Sequence, residues 1–122
     1  KVRYAVVLTC LGGPKEKLSI KLSNSELVNQ RSTDLDDFAR LGEQEDRWEI
    51  REFTPLNGSD ERHFSSPGVR IPTIQIARTV YGDYPEYHTN ADDLEFMNVK
   101  QVFELRSCER KLKSQVRRIL LE

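Results

Sequence analysis

Long apolar runs are missing from this chain. No segment approaches the ~18 consecutive apolar residues that a membrane-crossing helix needs, so no helical span and no membrane partner are expected. An excess of one charge is missing too. Nineteen Lys and Arg stand against 20 Asp and Glu, a formal net charge of −1, which gives no global field toward nucleic acid or an anionic surface. The basic stretch over 100–118 is read as the solvated face of a terminal helix, and no nucleic-acid partner is expected. Cysteine is scarce. Cys10 sits in an apolar run and Cys108 inside a helical pattern, so both are read as buried free thiols, which leans to an intracellular, cytoplasmic setting. Repeats, low-complexity tracts and a Gly-x-Ser-x-Gly nucleophile elbow are all lacking, which sets aside solenoids and α/β-hydrolase-type serine chemistry. No secretory signal is visible. The chain opens on Lys1 without an initiator Met and runs straight into a strand-like segment; an excerpt of a longer protein is the expectation.

What is present is one domain's worth of chain, 122 residues with 37% hydrophobic and 32% charged side chains, enough for a modest core. Arg3 to Leu11 is apolar and β-branched throughout, the pattern of a strand covered on both faces. Gly12-Gly13-Pro14 ends it. Lys17 to Ser23 alternates, with Leu18, Ile20 and Leu22 on one side, and reads as a half-buried strand at an edge. Ser32-Thr33-Asp34 offers an N-cap to a helix with Leu35, Phe38, Ala39 and Leu41 at helical spacing, ending between Gly42 and Asp46. Trp48 to Phe53 alternates again, Trp48 and Ile50 on one face, Arg51 and Phe53 on the other. Pro72 forbids a regular central ladder at its position, so a strand to Ala77 begins there. Asn98 caps a long helix with the stripe Val102, Leu105, Cys108, Leu112, Val116 and Ile119. Strands alternating with helices give an α/β layer structure.

The stretch Gly58 to Phe96 holds both histidines and three of the six glycines. So long a connection in a compact domain points to function or disorder, and the buried-looking Val69 to Ala77 argues for the first. His88 follows an aromatic run and precedes Asp92 and Asp93; Asp60 and Glu61 follow a Gly-Ser turn. Imidazole and carboxylate are the ligand types that suit zinc, and a nearby carboxylate orients a metal-bound histidine. One histidine and scattered acids equally suit an ordinary structural histidine. Ser65-Ser66 beside His63 reads as a turn.

Three segments in order, Ser59-Asp60-Glu61-Arg62-His63-Phe64, Pro67-Gly68-Val69-Arg70-Ile71-Pro72 and Tyr87-His88-Thr89-Asn90-Ala91-Asp92-Asp93-Leu94, resemble the zinc aminopeptidase-like superfamily. Its members include co-catalytic zinc exopeptidases and glutaminyl cyclases, and the nearest likeness is to a bacterial and archaeal aminopeptidase-like branch. The resemblance runs from about Val6 to about Phe96. It implies the C-terminal portion of a three-layer, phosphorylase/hydrolase-like mixed sheet flanked by helices, ending in a long amphipathic helix, with 1–122 as a single domain. It further implies a zinc-dependent hydrolase of peptide or small amide bonds. His88 falls on the last zinc ligand. Asp60 falls on an aspartate beside the catalytic groups, and Tyr87 on a tyrosine that hydrogen-bonds the tetrahedral intermediate, or else it is a packing aromatic. Asp92 caps the turn or orients His88.

The departures matter as much. Glu61 replaces the usual histidine after the aspartate, leaving it beside the site. Thr9 stands where a zinc-ligating aspartate would be, which leaves one zinc or two open. The family's early His-x-Asp, bridging Asp and Glu-Glu pair precede the Val6-type strand. The chain alone is therefore expected to be inactive, and its exposed sheet edge to self-associate or to pair with the missing N-terminal part. A non-catalytic binding module on the same fold is the alternative.

Overall fold

The structure, a computed structural model, describes residues 2–24, 32–103 and 114. Six elements follow in chain order: β1 (Ala5–Leu8), β2 (Leu18–Lys21), α1 (Asp34–Gln44), β3 (Trp48–Arg51), α2 (Glu61–Phe64) and β4 (Thr73–Ala77). The strands form one open mixed sheet in the order β1-β4-β2-β3. β1 runs parallel to β4 and β2 parallel to β3, while β2 and β4 are antiparallel. The described chain is thus mixed α/β with short helices. The three-layer arrangement and the long terminal helix are not carried by the described residues. Residues 99–103 are helical, and Asn98 opens them by accepting the Lys100 amide on Oδ1 at 3.1 Å; the rest of the expected apolar stripe lies outside the described residues, as does 25–31.

Two strand assignments change places. β2, read as a half-buried edge, is interior and buried along its whole length. β1, read as covered on both faces, is the outer strand, with Val6 and Leu8 37% and 50% exposed. The Ala5 and Thr9 amides donate to Pro72 and Ile76 carbonyls, which turns the backbone groups of Val6 and Leu8 away from the sheet. Among the described residues nothing pairs that edge.

Register fixes two faces of opposite character, because partners in a ladder point the same way. Ile20 is opposite Ile76 and Ile50, and Leu18 opposite Trp48. With Leu22 and Ile74 they form the apolar face, closed by Leu35, Phe38 and Ala39 of α1. Each such side chain contributes roughly 1.5–3 kcal/mol by leaving water. α1 starts where Thr33 Oγ1 accepts the Asp36 amide and Asp36 Oδ2 accepts the Thr33 amide, each at 3.2 Å. This reciprocal cap satisfies two otherwise orphaned donors. The buried Asp36 carboxylate also takes the Ser23 amide and hydroxyl at 2.8 and 2.6 Å, tying the helix start to the end of β2.

The other end of α1 closes on tryptophan. Trp48 Nε1 donates to the Ala39 carbonyl at 2.7 Å, and the Phe38 and Trp48 rings lie 5.4 Å apart. Gly42 is required by this contact, since a Cβ there would overlap the indole. The sheet's far end is laced by Arg78, only 6% exposed. Its guanidinium donates to the Leu11, Lys15, Glu16 and Gln101 carbonyls. It holds the turn after β1 and the chain around Gln101 against the end of β4.

Gly42→Ala tests the tryptophan contact. Helix propensity favours alanine by up to about 1 kcal/mol, yet overpacking costs about 1–3 kcal/mol. We expect a lower denaturant midpoint, read by fluorescence of Trp48. A raised midpoint would show that the close approach is not there.

Candidate functional site at the strand C-terminal ends

The second face of the sheet is polar and nonetheless covered. One row crosses it, Val7, Gln75, Lys21 and Arg51, set opposite one another by register. Lys21 and Glu61 are 1% and 0% exposed and form an ion pair at 3.0 Å. The Lys21 ammonium also donates to the Thr54 carbonyl at 2.9 Å and to the Asn57 carbonyl, and sits 5.0 Å from the Phe53 ring centre. Glu61 takes the Ser59 amide on both oxygens, at 3.1 and 2.9 Å, and Gln75 Nε2 at 3.1 Å. Gln75 Oε1 accepts Arg51 Nη2 at 2.8 Å, and Arg51 Nε donates to Ser19 Oγ at 2.5 Å. Buried charges persist when paired and fully hydrogen-bonded, and this pair is both. Burial first, then the neighbouring guanidiniums, push the Lys21 ammonium below its ordinary value, while Glu61 pulls it back.

The pair anchors the segment 53–60 and the single turn α2, an element that the sequence left inside a loop. It also settles Glu61's surroundings. The residue that departs from the family's histidine is turned into the fold, away from solvent. Asp60, at the head of α2, is exposed, and its carbonyl accepts the His63 and Phe64 amides at 3.0 and 3.2 Å.

The C-terminal ends of the parallel strands β1 and β4 lead into two loops that meet. Ligands of open α/β sheets bind outside such ends. Cys10, half-buried and a free thiol, has φ of +47. Tyr84 is hydrogen-bonded to it; burial chiefly, and that bond next, raise the Tyr84 phenol well above its usual value. Tyr84 stacks on Phe96 at 5.1 Å and meets Tyr87 edge-on at 5.7 Å. Tyr87 also lies 5.5 Å from Tyr81 and stacks on His88 at 3.9 Å. The structure therefore brings Tyr87 and His88 together on a platform of tyrosines. His88 itself is exposed and left-handed, φ +58, a conformation that a non-glycine residue adopts at a cost on the order of 1 kcal/mol and that clusters at functional loops.

No hydrogen bond joins Asp92 to His88 among the described residues. The turn is held instead by Thr89, whose hydroxyl donates to the Glu86 carbonyl at 2.7 Å, and by Asp93, whose Oδ1 accepts the Glu95 and Phe96 amides. Arg51 and Tyr81 are functional candidates that sequence reasoning missed. Burial first, then Glu61, raise the Tyr81 phenol, with Arg51 and Arg62 opposing. The alternation of Trp48 to Phe53 did place Arg51 on the face opposite the tryptophan, and nothing in it told that this face is covered.

A family model described as "Domain of unknown function (DUF4910)" matches residues 1–116. The chain belongs to the DUF4910 family. It is 34% identical over 99 residues to a Clostridium acetobutylicum protein named "Putative polysaccharide biosynthesis protein with aminopeptidase-like domain", covering 80% of this chain and 21% of that protein. It is also similar to a crystal structure of a "putative peptidase" from Clostridium acetobutylicum, with TM-score 0.66, 30% identity, 81% of this chain and 22% of that chain. This DUF4910 segment thus spans about a fifth of the length of the relatives it matches. An aminopeptidase-like family is what these likenesses support.

Among the described residues no group of three or more His, Cys, Asp or Glu gathers closely enough to hold a metal. Zinc sites take three or four protein ligands, so the described residues of the DUF4910 segment do not by themselves fit zinc. Among them, too, no helix is long and apolar enough to cross a membrane.

The thiol contact of Tyr84 gives a spectroscopic prediction. Ultraviolet titration of phenolate should show a component ionising well above pH 10, and Tyr84→Phe should diminish it. An unchanged curve in that variant would contradict the buried, hydrogen-bonded placement.

Proposed function

We propose that this segment is the part of an aminopeptidase-like hydrolase that carries the late histidine loop, acting on peptide or small amide bonds within a longer polypeptide. The observation that supports it is the strained, exposed His88 stacked on Tyr87 at the strand ends, in a family whose relatives are named aminopeptidase-like and peptidase. In this reading His88 is a zinc ligand, completed by residues outside those described, and zinc when bound supplies the Lewis acid and activated water of such hydrolases. Tyr87, held by Tyr81, Tyr84 and the imidazole, offers a phenol to the oxyanion that develops on the substrate carbonyl. Asp60 presents its carboxylate beside the site. Asp92 contributes charge near the tyrosines. Glu61 acts through the fold, fixing the segment that bears Asp60. The same reading makes 1–122 one C-terminal domain portion of a cytoplasmic protein. The outer edge of β1 pairs with the upstream part, and the isolated segment self-associates there, as open strand edges do.

A second reading, a binding module without catalysis, is favoured by two observations. Thr9 offers a hydroxyl where a carboxylate is expected, and Glu61 is consumed by Lys21.

The test uses a polypeptide of the relatives' length that contains this segment, assayed on aminoacyl and small amide substrates. Hydrolysis should be abolished by zinc chelation and by His88→Ala. Tyr87→Phe should lower kcat by on the order of 10²-fold, with KM little changed. An intact polypeptide that neither hydrolyses these substrates nor retains zinc would overturn the catalytic reading in favour of the second.

A further inference from the structure

Charge on the polar face does not balance. Lys21, Arg51 and Arg62 gather around Glu61, among the described residues the single carboxylate of the network, and both Glu61 oxygens are already taken by Lys21, Gln75 and the Ser59 amide. Arg51 donates only to neutral acceptors, Ser19 Oγ and Gln75 Oε1. Arg62 reaches only the Pro55 carbonyl, at 3.4 Å, through Nη1, and its buried Nε has no partner among the described residues. Asp83, the next carboxylate toward Arg51, is engaged by Lys15 at 3.1 Å. A buried donor left without an acceptor costs about 1–3 kcal/mol and is a place to look for an absent partner.

The two guanidiniums are also held in place. Gly58 packs so closely on Glu61 and on the Arg62 stem that a Cβ would overlap both, and Gln75 and Ser19 fix the Arg51 fork. Both arginines and Tyr81 are half-buried, so an entering group would be partly desolvated, where charge-assisted bonds are strongest. Tyr81, the first residue beyond the buried end of β4, lies within electrostatic reach of both arginines and of Tyr87. The cationic patch therefore adjoins the tyrosine platform under His88.

We propose that Arg51 and Arg62, with Tyr81 nearby, form an oxyanion-binding subsite that takes a carboxylate of the ligand. The Nε–Nη2 edge of Arg62, which meets no acceptor among the described residues, matches a carboxylate in two parallel hydrogen bonds, the geometry in which arginine is most selective. Arg51, its own Nε and Nη2 held by Ser19 and Gln75, adds positive charge beside it. The subsite assigns an acidic ligand class, a peptide or amide bearing a carboxylate. The choice of carboxylate over other oxyanions rests on the peptidase-like reading; the existence of the subsite rests on two guanidiniums that meet only neutral acceptors and on the orphaned Arg62 Nε.

The test is made on the full chain with a metal chelator present and with no activity measured, so failure of the zinc reading leaves it intact. Arginine Nε–H resonances are followed by NMR during titration with N-acetylglycine, with its uncharged amide and with inorganic phosphate. N-acetylglycine should shift the Arg51 and Arg62 signals saturably, with a dissociation constant on the order of 1 mM, weakening as salt is raised. The amide should shift neither. Arg62→Gln should weaken binding by about ten-fold or more, Arg62→Lys by less, and Arg40→Gln, at a surface pair with Glu52, not at all. Equal effects of the amide and the acid would overturn the subsite, as would binding untouched in Arg62→Gln. Preference for phosphate would overturn the carboxylate assignment. If Arg62→Gln fails to fold, the wild-type Arg62 Nε–H response to acid against amide decides alone.

Discussion

The ion pair between Lys21 and Glu61 is the constraint on which the rest depends. It joins an interior strand of the sheet to the first residue of α2 across forty positions of sequence, in a place almost without solvent. Much of the polar bonding on that face extends from it. Gln75 links it to Arg51, Ser59 closes the turn over it, and the Thr54 and Asn57 carbonyls bend the chain around the ammonium. A buried pair of this kind need not add stability over an apolar replacement, since desolvation offsets much of the attraction. Its consequence is positional. A covered polar layer disfavours arrangements that leave its donors and acceptors unmet, so the segment 53–60 has little freedom in where it puts Asp60.

The two faces of the sheet divide the work of the molecule. The apolar face, Leu18, Ile20, Trp48, Ile74 and Ile76 under α1, supplies the burial that folds the chain. The polar face leads toward the candidate site at the C-terminal ends of β1 and β4, where Arg78 fastens the turn after β1 and the tyrosines form a platform for His88. The outer edge of β1 stays open among the described residues. Its apolar side chains are explicable in a segment that is about a fifth of its relatives' length.

Local signals in the sequence were legible and long-range ones were not. Ser32, Thr33 and Asp34 announced the start of α1, and Pro72 marked the entry to β4, because caps and proline restrict the backbone through neighbours alone. The Leu18, Ile20, Leu22 alternation was legible as a face. It could not show that Ser19 and Lys21, the other side, are buried too, since period-two polarity is the same whether water or a satisfied polar layer lies beyond. For the same reason β2 looked like an edge. The continuous apolar run before Gly12 asks for cover on two faces; Ala5 and Val7 are half-buried on one, while Val6 and Leu8 on the other stay exposed among the described residues. In the candidate site, Tyr87 and His88 were visible as neighbours, while Arg51 and Tyr81 became visible only when register brought their strands together. The ion pair of Glu61 was not legible because its partner, Lys21, lies forty residues away.

The most direct measurement is a double-mutant cycle on the central pair, with Lys21→Met, Glu61→Gln and both changes together, followed by chemical denaturation. Each single change should cost about 3–5 kcal/mol, since it strands a buried charge. The double change should cost less than the sum by about 2 kcal/mol or more, or fold where the singles do not. Additive costs within about 0.5 kcal/mol would contradict the account, because they would mean that Lys21 and Glu61 do not depend on each other and that the polar face is not organised by their pairing.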